Sequence, residues 1–587
     1  MAGLQKVKPS FLTLCMTAFF NLSNHAQVEN HIIGSNGYDF GNAIVVDSLG
    51  YVYITGTTGA PAGFAPGSRF FGTPGNNDVF ISKYDNTFTR HIKTVFIGSS
   101  LDDEGLSLAL SNDGKTLYIS GTTKNPADFG PSRVIIGNTG DKDVFIARLD
   151  AGLDSLYQIT ILASPEKDEG HEVAVGYDGS VFLTGQAGND NFICTSCPQK
   201  IEYGDSDGNV EAFVSRLTPD LVHLKTTLLT SDAEDEAYAI AFDHNHYVYI
   251  TGRTKNYDDF ACNKEYYGGQ PLFKVGYSAF VARLTYDLQC RKTGILASDI
   301  VSDVIRDVVI DDQGYVYVGG LTESPGTFPK SPKYYHGTTG GTADGFIVKL
   351  NNSLNNHIAT AMLSSTDKDK VYSLSLDGNG HIVAAGYTMN RGNFGDNRTI
   401  MGNTGDEDVF IAILDNSLAS MVKTYIIGSN QTDIYYSVFV DAKGHIHATG
   451  ETADWQTYGD DRVVTGTTGS SREIFITTVR ATNPAGLCHT PQPIYTSRIT
   501  PASARLNWAA PSSTTRVEIR GKPLANASWR YLHALPAPPY RQVNGLQNQV
   551  TYIWQIRSLC DGWTDTSAWS PPDTFTAKCQ PPDTLWA

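Results

Sequence analysis

The sequence predicts an all-β chain, a long array of repeated sheets followed by a separate β-module. Three observations carry this prediction. A strand-like run ending in glycine returns seven times, at intervals of 64 to 68 residues. Tyrosine and glycine are abundant, and stretches of helical period are scarce. Near residue 486 the repeat stops and the composition changes.

The first 26 residues read as a targeting segment. Lys6 and Lys8 precede an apolar stretch at residues 11–20, and "NHA" before Gln27 places a cleavage after Ala26. No later apolar run approaches the roughly 18 residues of a transmembrane helix. The mature chain is therefore expected to be exported and soluble, extracellular or at the cell surface.

The repeat defines the next elements. The glycine-ending strands are "YVYITG" to Gly56, "TLYISG" to Gly121, "VFLTG" to Gly185, "YVYITG" to Gly252, "YVYVGG" to Gly320, "HIVAAG" to Gly386 and "HIHATG" to Gly450. Each is preceded by a strand such as "NAIVVD" and followed, after a long segment, by one such as "DVFISKYD" from Asp78 or "EIFITTVR" from Glu473. A fourth strand of the "TVFIGS" type closes each of six units, at Ser99, Ser164, Ser231, Ser298, Ser365 and Ser429. The seventh copy is "HIIGS" at residues 31–35, far from the last unit in sequence. Four-stranded units repeated radially make a β-propeller. The expected fold is thus a seven-bladed β-propeller of four-stranded blades over residues 27–482, closed by the N-terminal segment as the outer strand of the last blade.

Units of the form "GYDFGNAIVVDSLGYVYITGTT" followed by "NNDVFISKYD" resemble the bacterial β-propeller repeats called SBBP repeats. That resemblance implies a secreted or cell-surface protein and supplies no common catalytic set. Fold alone does not settle function.

The most regular polar residue lies between the fourth strand and the next first strand: Asp39, Asp103, Asp168, Asp235, Asp303, Asp369 and Asp433. Two readings stand. Each aspartate organises a turn, or together they form a carboxylate ring at one end of the axis that holds a cation, calcium being the candidate. The long segments between second and third strands carry Phe70, Phe71, Tyr257, Phe260, Tyr266, Tyr267, Tyr334 and Tyr335. These aromatics either contact a glycan or protein ligand or anchor the segments on the blades.

No H-E-x-x-H helix or P-loop occurs, so a non-enzymatic binding or adhesion scaffold is expected. A secreted carbohydrate-active enzyme and a structural surface or matrix component are the alternatives. The net charge of −17 argues against nucleic acid or an anionic membrane as partner.

Export permits disulfides. Cys194 and Cys197, in "CTSC", form the favoured pair, whereas a Cys262–Cys290 bridge needs an unusual path between opposite blade ends. After a linker at 483–487, "SARLNWAAP", "VEIRGK" and "GLQNQVTYIWQIRSLCDG" resemble a fibronectin type III domain spanning 488–578. On that resemblance Trp508 is the core tryptophan, Leu546 precedes the late strand, and Tyr552 occupies the tyrosine corner. In such a sandwich Cys488 and Cys560 lie at one pole and can pair. "CQPPDTLWA" at 579–587 matches "CHTPQPIYT" in phase, and a second, truncated module is expected to begin there.

Overall fold

A computed structural model describes residues 27–64, 68–85, 90–193, 199–206, 209–268, 276–298, 302–329, 332–377, 380–460, 462–469, 472–480, 491, 494–509, 516–525, 528–534, 540–560, 565–566 and 569–578. The N-terminal segment 1–26, the linker, Cys194, Cys197, Cys488 and residues 579–587 lie outside them.

Seven five-stranded sheets account for residues 27–480. In the first, strand a (Asp39–Val46) pairs with b (Val52–Thr58), b with c (Asp78–Tyr84), and c with d (His91–Gly98). A short strand e (Arg69–Gly72) then pairs with d in parallel, outside it. The other six sheets repeat the order a-b-c-d-e. Strands b and c are buried on both faces, so each sheet must be covered by a neighbour on either side.

The apolar cores accordingly lie between sheets. Tyr53, Val79 and Ile97 of the first sheet pack with Leu117, Ile119 and Phe145 of the second. Ile474 and Ile476 of the seventh pack with Ile44, Ile54 and Phe80 of the first. Asp39–Val46 packs against Asp103–Leu110 on one side and Asp433–Val440 on the other, so the succession closes on itself. In the seventh sheet Gln27–Gly34 supplies strand d, antiparallel to Glu473–Arg480 with Ile32 opposite Phe475.

This corrects the expected architecture. A seven-bladed propeller of four-stranded blades with the N-terminal segment outermost is not what forms. Every unit contributes five strands, and Arg462–Gly466 lies outside Gln27–Gly34, pairing with it in parallel. The long segment between b and c turns back along the flank of its sheet and pairs with strand d as strand e. One aromatic anchors each turn: Phe64, Phe129, Phe192, Phe260, Phe328, Phe394 and Tyr458 are fully buried. Their ring centroids lie 4.4–4.6 Å from the phenylalanine of the same unit's strand c. Each such burial contributes about 1.5–3 kcal/mol.

Strand e also explains the disulfide that does form. Cys262 stands just before Lys264–Gly268, whose Lys264 lies opposite Thr293, and this brings it level with Cys290 at the start of strand d. The two are bonded, with Cα atoms 6.1 Å apart. The difficulty anticipated for this bridge came from placing Cys262 at a blade end, and the returning strand removes it.

Residues 494–576 form two further antiparallel sheets. Ile494–Ser497, Ser503–Trp508 and Tyr540–Asn544 make one. Arg530–Ala534, Arg516–Pro523, Thr551–Cys560 and Asp565–Thr566 make the other, with Asp573–Thr576 pairing on Thr551–Cys560. Leu506, Trp508, Val517, Ile519, Trp554, Ile556 and Phe575 fill the core, with Leu546 and Tyr552 packed against it. The Gln547 N–H donates to the Tyr552 hydroxyl at 2.7 Å.

Candidate functional site

The recurring glycine of strand b builds the site. A Cβ on Gly56, Gly121, Gly185, Gly252, Gly320, Gly386 or Gly450 would overlap the carbonyl oxygen of Phe40, Glu104, Glu169, Glu236, Val304, Lys370 or Ile434 respectively. Each inner strand a carries a β-bulge two residues beyond this carbonyl. A bulge re-aims one side chain. The bulged residues are Asn42, Leu106, His171, Tyr238, Arg306, Tyr372 and Tyr436, one on each of the seven strands that surround the axis.

Five consecutive bulge side chains touch in an arc. His171 stacks on Tyr238 with centroids 5.1 Å apart, and Arg306 lies 4.2 Å over Tyr238 and 5.8 Å from the Tyr372 centroid. Tyr372 then meets Tyr436 edge-on at 5.7 Å. All five are partly exposed. Asn42 sits apart and donates its amide to the Gly105 carbonyl at 2.8 Å.

The residue after five of the seven bulges staples adjacent sheets. Ser107, Glu172, Asp307, Ser373 and Ser437 accept the backbone N–H of Val173, Ile240, Leu374, Val438 and Ile44. The last of these joins the seventh sheet to the first. Burial pushes the Glu172 carboxyl well above the usual range and the Asp307 carboxyl to about 6.

Charges at this mouth are paired in three sectors. Lys142 lies 3.0 Å from Glu104 and 3.1 Å from Glu169. Arg253 pairs with Glu236 at 2.5 Å and lies 4.0 Å over Tyr277. Arg472 pairs with Glu451, which also accepts the Tyr436 hydroxyl at 3.0 Å. The fourth sector differs. Arg306 and Lys370 have no hydrogen-bond or ion-pair partner among the described residues, and the Nε atoms of Arg306 and Arg253 alike are buried without an acceptor. Burial, with the Lys368 and Arg306 charges, holds Lys370 down at about 8.

The seven aspartates singled out in the sequence are not brought together. Each is fully buried at its own junction between consecutive sheets. Ser35, Ser99, Ser164, Ser298, Ser365 and Ser429 donate backbone N–H groups to Asp39, Asp103, Asp168, Asp303, Asp369 and Asp433 at 2.5–2.6 Å. Asp235 accepts the Ser231 hydroxyl at 3.1 Å. Each aspartate's own N–H donates to the carbonyl just before strand c of the preceding sheet, from Asp103 to Asn77 at 2.9 Å and from Asp39 to Arg472 at 3.3 Å. Among the described residues no three His, Cys, Asp or Glu side chains are grouped to hold a metal ion.

Burial raises these carboxyls despite the donated hydrogen bonds, to about 6 for Asp39, about 7 for Asp103, Asp168 and Asp303, and about 8 for Asp369 and Asp433. The acids that open strand c form a second buried set. Burial holds Asp78, Asp143, Asp344 and Asp408 at about 6. Their constant place before a phenylalanine was the available signal.

Of the aromatics between b and c, Phe71, Tyr257, Phe260 and Tyr267 are buried, whereas Tyr335 is exposed. Phe70 and Phe71, Tyr266 and Tyr267, and Tyr334 and Tyr335 belong to strands e, on the outer edge and away from the axis.

Residues 31–63 match the family model described as the SBBP beta-propeller repeat, which supports a repeat protein. No curated protein matches the chain. Among solved structures, a domain described as "Myokine structure" is 14% identical, with 15% of this chain and 96% of that one covered and a TM-score of 0.14. The FN3 domain of human collagen XX is 18% identical, with 16% and 100% covered and a TM-score of 0.14. The FN5 domain of Drosophila Lar is 16% identical, with 15% and 96% covered, also at 0.14.

Proposed function

We propose that the chain is an exported, non-enzymatic binding scaffold that recognises a glycan at a cell surface through the arc of bulge side chains. One contrast carries the reading. The strand b glycine, the serine–aspartate junction and the strand c phenylalanine recur in all seven units, whereas the bulge residue is Asn, Leu, His, Tyr, Arg, Tyr or Tyr. Positions that hold a sheet together are uniform. A position presented at one place yet varied among the sheets suits recognition.

Tyrosine and histidine offer flat apolar faces with polar tips, which match the mixed C–H and hydroxyl surface of a sugar. The C-terminal sandwich belongs to the same proposal as a fibronectin type III spacer. The buried Trp508 and the Gln547 N–H donated to Tyr552 support that assignment.

The test applies the full chain to a glycan array while polysaccharide turnover is followed in parallel. Retention on a defined set of glycans without product release is expected. Product release with no retention would replace the scaffold by an enzyme.

A further inference from the structure

Resting on that reading, we propose that the Arg306–Lys370 sector sets the specificity of the arc and takes one carboxylate carried on a saccharide, a ligand of the hexuronate class. Every other strong charge pair at the mouth is internally neutralised: Lys142 with Glu104 and Glu169, Arg253 with Glu236, and Arg472 with Glu451. Arg306 and Lys370 stand on adjacent inner strands with no carboxylate in ion-pair reach among the described residues. Tyrosine rings hold them instead. Arg306 lies 4.2 Å over Tyr238, and Lys370 lies 5.5 Å from the Tyr387 centroid and 5.9 Å from that of Tyr372.

Two cations kept together with no carboxylate in ion-pair contact repel each other, and an oxyanion between them relieves that repulsion. A guanidinium matches the planar carboxylate, and the ammonium adds a point charge. The surroundings limit the ligand to a single negative group. The chain carries a net charge of −17, and Glu323 and Glu407 lie close enough to act on Lys370. A polyanion would meet this acidic field along its length, whereas one carboxylate reaches only the doublet. The neighbouring faces of Tyr372, Tyr436 and His171 suit the sugar that carries it.

The experiment is calorimetric titration of the full chain with a hexuronate trisaccharide, a neutral hexose trisaccharide, a sulfated hexose trisaccharide and an aspartate-rich peptide. The hexuronate is expected to bind best, to weaken as salt is raised, and to lose at least about tenfold in affinity in Arg306→Gln and in Lys370→Gln. Arg306→Lys, which keeps the charge, should recover part of that loss, and thermal unfolding verifies that each variant is folded. The salt dependence of the unmodified protein needs no variant.

Tighter binding of the sulfated sugar overturns the carboxylate assignment, and binding of the peptide alone overturns the saccharide. Equal binding of neutral sugar, unchanged in both Gln variants but lost in Tyr372→Ala, overturns this inference and leaves the arc standing. Absence of any saccharide binding removes both.

Discussion

A single residue type explains why the inner strands present side chains to the axis at all. Gly252 leaves room for the Glu236 carbonyl, and any Cβ there must push the bulge out of place. Gly252→Ala should therefore cost about 1–3 kcal/mol, the range for forced overpacking, with a lower urea midpoint as the readout. An unchanged midpoint would mean the bulge relaxes freely. The junction aspartates make a second residue-scale prediction. Because burial raises their carboxyls, the folded chain binds more protons than the unfolded chain between the ordinary range near 4 and values of about 6 to 8. Their contribution to stability is thus present at low pH and is lost as pH rises through that window. The urea midpoint should fall from about pH 5.5 to about pH 8.5, and Asp369→Asn, which cannot ionise, should fall less. Parallel curves for the two proteins would refute this account of Asp369.

At the scale of the element, strand e is the part with the most consequences. It carries Cys262 to Cys290, closing a separation of 28 residues. Replacing both by serine should cost about 3–4 kcal/mol by the chain-entropy relation, and a non-reduced digest should yield the two cysteines in one linked peptide. Two separate free-thiol peptides would contradict the pairing. Strands a to d were legible in the sequence because their apolar runs are five to eight residues long and recur in phase. Strand e was not. "RFFG", "RVIIG", "KEYYG" and "RTIMG" are four or five residues long, and their outer positions, such as Val134, Ile135 and Ile400, face solvent, so no buried alternation marks them. Their shared pattern, a basic residue leading to a glycine of positive φ, was present in every unit. The bulge was hidden for another reason: every unit has it, so the spacing of strand a never changes. The candidate site was therefore the least legible feature, because the side chains that form it vary from unit to unit more than those that hold the sheets together.

For the whole molecule, closure depends on one strand borrowed from the other end of the chain. Gln27–Gly34 covers Glu473–Arg480 and buries Ile32 and Ile33, while Ser437 and Arg472 reach the first sheet from the seventh. Removing residues 27–34 should abolish a single cooperative unfolding transition, and a synthetic peptide of residues 27–35 should restore it. A truncated chain that unfolds like the intact one would show that the first and seventh sheets hold together without it. The central claim is that recognition belongs to the axial arc rather than to the outer segments. The most direct test compares array binding of the full chain with Tyr372→Ala/Tyr436→Ala and with Tyr335→Ala. Binding should be lost in the first variant and retained in the second; loss only in Tyr335→Ala would contradict it and move the site to the outer edge.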